Sequence, residues 1–83
     1  MSFRQSALYS LALKAQSDKA EALASLTLLL EHPAGIGDHS TDDLHNNLYE
    51  SLNKLENADS RLETLNRYFP ELRNFPNDNT NSE

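Results

Sequence analysis

Apolar positions fall into two long periodic runs separated by one short irregular stretch. In the first run, Leu8, Leu11, Ala12, Ala15, Ala22, Leu23, Leu26, Leu29 and Leu30 recur at the three-and-four spacing that gathers side chains on one side of a helix. The run is rich in alanine and leucine and holds no glycine or proline, so intrinsic propensity agrees with the pattern. It predicts a helix over about residues 3–31, roughly 40 Å long at 1.5 Å per residue.

The second run repeats on a heptad over about residues 41–69. Leu48, Leu55, Leu62 and Phe69 share one position, Ala58 and Leu65 the other, with Leu44 and Leu52 flanking. A seven-residue repeat implies supercoiling against a partner helix. Glu50 with Lys54, and Glu63 with Arg67, are spaced to pair along its solvated side. Pro70 then breaks the pattern, because it lacks the N–H that a continuing helix would use. Residues 70–75, "PELRNF", fit one further turn with Leu72 and Phe75 folding back; residues 76–83 carry no apolar side chain beyond Pro76 and read as a disordered tail.

Between the runs, the corner at residues 32–40 holds Pro33, Gly35, Ile36 and Gly37. Pro33 stops the first helix, and the two glycines adopt the positive φ that a sharp reversal requires. Ile36 plugs the end of the helix pair near Leu30 and Leu44. Ser40 or Thr41 caps the second helix, and Asp42 and Asp43 complement the positive end of its dipole. The expected fold is therefore all-α: an antiparallel two-helix hairpin, coiled-coil-like, in a single domain over residues 1–75.

Two positions interrupt the apolar faces. Lys19 falls near the middle of the first face and Asp59 in the middle of the second. A reversal at the corner brings Lys19 opposite Leu55, within reach of Asp59. An ion pair in the helix seam, within one chain or across a dimer, is one expectation; a lysine snorkelling out along the seam is the other.

Size makes assembly an issue. A core built from 83 residues rarely contributes more than about 3–5 kcal/mol, and without cysteine no disulfide can add to it. A second apolar stripe, Leu13, Ala20, Ala24 and Leu28, runs along the back of the first helix. Its alanines allow close approach, so it is the expected oligomer interface, with two hairpins completing a four-helix or larger bundle.

The net charge of −6 sits in the second half: residues 1–31 balance, while 32–45 and 46–83 each carry −3. No basic stripe offers a footprint for nucleic-acid phosphates, and anionic membranes are disfavoured likewise. The opening "MSFRQSALYSLALKAQ" has too short an apolar run for a leader, and no stretch reaches the length of a membrane span. A cytoplasmic location is expected.

Candidate chemistry is sparse. A divalent cation held by His39 with Asp38, Asp42 or Asp43 is conceivable, although no zinc-type spacing appears and helix capping already explains the aspartates. "GIG" lacks the lysine of a phosphate loop. His32 suits a helix C-terminus, and His45 and the tyrosines Tyr9, Tyr49 and Tyr68 fit the rim of a helix pair. No catalytic residue, cofactor or metal is assigned, and the chain is expected not to be an enzyme.

"HPAGIGDHSTDD", the alanine- and leucine-rich helix before it and "ADSRLETLNRYF" after it resemble small proteins encoded by tailed phages of marine bacteria. The likeness covers most of residues 8–69. It implies a viral origin, a host-cytoplasmic location and an accessory role; no catalytic residues accompany it. The expected function is thus a small acidic homo-oligomeric helical module, structural or binding a further protein partner. The alternative is an acidic decoy or inhibitor that docks on a basic host surface, steered by charge.

Overall fold

The computed structural model describes residues 2–31 and 41–74, excepting the side chains of 41, 42 and 74. Two helices, α1 (Phe3–Glu31) and α2 (Thr41–Tyr68), pack side by side and antiparallel, and a 3-10 turn, Pro70–Asn74, follows α2. The molecule is a slab of 51 × 25 × 18 Å. Its two broad faces each show both helices, and its narrow edges show one.

The start of α1 has a local cause. Ser2 Oγ accepts from the Gln5 backbone N–H at 3.1 Å, while Gln5 Oε1 accepts from the Ser2 N–H at 3.3 Å. This reciprocal capping box satisfies two donors that the first turn leaves without partners. At the far end of the pair, the Phe69 N–H still donates to the Leu65 carbonyl at 2.9 Å, and Pro70 stops α2 there. Proline is well placed as the first residue of the turn that follows, where its missing N–H costs nothing.

The seam is built from small residues. Buried apolar side chains among the described residues are Leu8, Ala12, Ala15, Ala22, Ala58 and Leu72, and Ser51 is buried beside them. Ala58 is wholly enclosed. Alanines at the centre of contact let the helices approach closely, and the leucines then flank the seam instead of filling it. This corrects the sequence reading of α1. Leu26 and Leu29 are half-buried, but Leu11, Leu23 and Leu30 of the expected buried face are exposed. The helix carries apolar residues on nearly every side, so its pattern alone did not single out which of them α2 would cover.

The largest side chains in the core gather at the open end of the hairpin. Leu8, Ala12 and Leu72 form one cluster with Tyr9, Leu65 and Phe69 packed against it. Leu72 thus folds back as its spacing after Pro70 predicts, and the turn seals that end. Phe75, the corner Pro33, Gly35, Ile36 and Gly37, and the tail lie outside the described residues.

Candidate functional site

The two broad faces of the slab differ in chemistry. One holds a groove of about 410 Å³ lined by Asp18, Glu21, Ala22, Ser25, Ser51, Lys54, Asn57 and Arg61. Its charges are largely met by neighbours: Lys14 Nζ lies 2.9 Å from Asp18 Oδ1, and Lys54 Nζ lies 3.7 Å from Glu50 Oε2. Glu63 and Arg67 form no such pair. The groove is polar and of mixed sign, with no cluster of one charge to select an ion.

The other broad face is apolar toward the corner end. Leu26, Leu30, His45, Leu48, Tyr49 and Leu52 line a shallow groove of about 220 Å³ there. Leu23 lies one heptad before Leu30 and joins the same row. His45 is exposed at its edge, and no carboxylate, lysine or serine lines the groove with it. That is no setting for acid–base or nucleophilic work, which needs a partner within hydrogen-bond reach.

Lys19 and Asp59 sit on this second face, one helical step toward the open end. Lys19 Nζ is 3.1 Å from Asp59 Oδ1, yet the two side chains are 45 and 55% exposed. The pair therefore forms within one chain but outside the dry seam. Both sequence expectations are realised in part, because the lysine stem leans out of the seam and its head group meets the aspartate at the surface. An exposed pair of this kind adds little stability.

The expected interface residues Leu13, Ala20, Ala24 and Leu28 are all exposed, with Leu13 at 55% and Leu28 at 60%. Leu28 lines a groove of about 280 Å³ with Leu29 and the α2 residues Asn47, Glu50, Ser51 and Lys54. Of the cap candidates, Thr41 is the first residue of α2, while Ser40 lies outside the described residues. So do Asp38 and His39 of the metal candidates, as does the side chain of Asp42. Asp43 is exposed near the start of α2. Among the described residues no group of three or more histidines and carboxylates is placed to hold a metal ion.

Sequence reasoning missed one cluster. At the open end the Arg4 side chain donates from Nε to Glu71 Oε2 at 2.6 Å, and its guanidinium stands 5.4 Å from the centroid of the Phe69 ring. The hydrogen bond from Arg4 holds the Glu71 carboxyl below its ordinary value of 4.5. Arg4 thus ties the start of α1 to both the end of α2 and the turn beyond it. The partners are 67 residues apart in sequence, and nothing local announces such a contact.

No helix among the described residues is long and apolar enough to cross a membrane. No family model, curated protein or solved structure matches the chain.

Proposed function

We propose that the chain is a homo-oligomeric helical hairpin whose work is done by its surfaces, as a structural or interaction module and not as an enzyme. The observation that carries this reading is the mismatch between what the hairpin buries and what it leaves open. Among the described residues only two buried apolar side chains are larger than alanine, whereas Leu11, Leu13, Leu23, Leu28, Leu30, Tyr49 and Leu52 all remain exposed. Isolated apolar side chains on a surface are ordinary. A run of them on both helices, on a hairpin with an alanine-built seam, is the signature of a surface that another helix covers.

The acidic-inhibitor alternative draws less support. The acidic side chains of the polar broad face alternate with Lys14, Lys54 and Arg61, so they form no patch that a basic surface would recognise. An accessory role in a phage fits a small assembly module and rests on the resemblance in the corner and second helix.

Sedimentation equilibrium over a wide concentration range, joined to thermal melts followed by circular dichroism, tests the proposal. The expected outcome is a mass of at least two chains, persisting at high salt, with a melting temperature that rises with protein concentration. A single 9.4 kDa species whose melt ignores concentration overturns it.

A further inference from the structure

On the reading that the hairpin works by self-association, we infer that a second copy seats on the broad face carrying Leu23, Leu26, Leu30, Leu48, Tyr49 and Leu52, with the two-fold axis running along the hairpin. The exposed back of α1 is then an outer edge of the dimer.

Four observations converge on this face. First, exposed large apolar residues from both helices are neighbours on it: Leu23 is 48%, Leu30 64%, Leu52 41% and Tyr49 66% exposed around a shared groove. The stripe of Leu13, Ala20, Ala24 and Leu28 belongs to one helix, and the groove where Leu28 meets α2 is shared with Asn47, Glu50, Ser51 and Lys54, a polar setting. Second, little apolar chain lies outside the described residues. Residues 1, 32–40 and 75–83 contain only Met1, Pro33, Ala34, Ile36, Phe75 and Pro76 as apolar side chains.

Third, the area suffices. The face is bounded by 51 × 25 Å, an outline large enough to hold the roughly 800 Å² per partner of a standard stable interface.

Fourth, the charges fit one symmetry. A two-fold along the hairpin stacks α1 of each copy on α2 of the other, antiparallel, with both corners at the same end. The leucines of α1 then meet those of α2 across the interface, and Lys19 of each copy lies level with Glu56 and Asp59 of the other. Placing the corners at opposite ends instead lays the apolar half of each face on the half that carries Lys19, Glu56, Asp59 and Glu63. Desolvating those groups against leucine is unfavourable.

Sedimentation of the full chain and its variants tests the face. L23E with L52E is expected to weaken association on the order of 100-fold while helix content is retained. L13E with L28E is expected to change it by no more than a few-fold. A spin label at Arg67→Cys, at the open end, tests the symmetry. The distance between the two labels should be well under the 51 Å length of one hairpin.

If L13E with L28E dissociates the assembly and L23E with L52E does not, the face is wrong and self-association stands. If both pairs stay associated, the face is equally wrong. A label separation near or beyond 51 Å overturns the axis. Should L23E with L52E lose helix content, L23Q with L52Q replaces it under the same criteria. A wild-type chain that never associates overturns the underlying reading itself.

Discussion

The two ends of this hairpin receive similar side chains and treat them differently. At the open end Leu8 and Leu72 are almost fully buried, with Phe69 and Leu65 packed beside them. Near the corner Leu30 and Tyr49 are about two-thirds exposed. The difference is a third element. Two helices in contact bury one stripe each, and a leucine beside that stripe is covered only when something crosses it. The Pro70–Asn74 turn does this at the open end, held by Leu72 inside and by the Arg4–Glu71 contact outside. At the other end the leucines of both helices share an open groove. The open end closes on a turn of the same chain, and the groove toward the corner is where the proposed second copy seats.

That contrast is most directly broken at Leu72. Leu72→Ala removes the wedge and leaves a cavity under the turn, at an expected cost of about 2–4 kcal/mol. Against a total of roughly 3–5 kcal/mol for a core of this size, most of the fold goes with it. Urea unfolding at a protein concentration low enough to keep the chain monomeric should show the loss. Leu30→Ala, measured in the same way, should cost less than about 1 kcal/mol, since the side chain is already in water. It should instead flatten the dependence of melting temperature on concentration. Equal losses from the two substitutions would erase the distinction between the ends.

The middle of the hairpin, where the ends meet, depends on small residues. Ala58 has no exposed surface, and Ala22 and Ser51 lie along the same narrow contact. Ala58→Leu is expected to push the helices apart and destabilise by about 1–3 kcal/mol. Urea titration gives the number, and a gain in stability would mean that the seam has room to spare.

Much of this was legible in the residues, and the rest failed for identifiable reasons. Both helices fall within a residue of their expected bounds, because Pro70 is a hard stop and α1 has no breaker inside it. The Lys19–Asp59 contact follows from two charged interruptions and an antiparallel register alone. The flanking position of Leu11, Leu23 and Leu30 did not follow. A helix apolar on most sides offers several faces, and the choice among them is made by alanines allowing the closest approach. The capping box of Ser2 and Gln5 was readable as S-x-x-Q but was overshadowed by the leader-like look of the opening. Arg4–Glu71 depends on where a turn 67 residues away comes to rest, which no local pattern encodes.

Acid should weaken the tie across the sealed end. The Glu71 carboxyl titrates below its ordinary 4.5 because Arg4 donates to its charged form. A group whose folded value is lowered contributes stability that is fully present above the unfolded value and lost as pH falls through the folded one. At neutral pH the wild type should therefore be more stable than Glu71→Gln, and the gap should close below about pH 4.5. The comparison with Glu71→Gln isolates this group from every other effect of pH on the fold. Parallel stability curves for the two proteins from pH 7 to 3 would show that Arg4 and Glu71 meet without energetic consequence.

The smallest effect belongs to the pair between the two ends. Lys19 and Asp59 meet at 3.1 Å with roughly half of each side chain in water. Solvent screens the attraction, and ordering a long lysine stem opposes it. A double-mutant cycle with Lys19→Met and Asp59→Asn in the monomeric hairpin should return a coupling of about 0.2–1 kcal/mol, shrinking with added salt. In the associated protein the same cycle should return a larger value. The face is then desolvated, and each lysine stands level with Glu56 and Asp59 of the second copy as well as its own aspartate. A coupling that stays the same in both states would mean that this part of the face remains in water, and the proposed dimer would lose the charge contact that sets its symmetry.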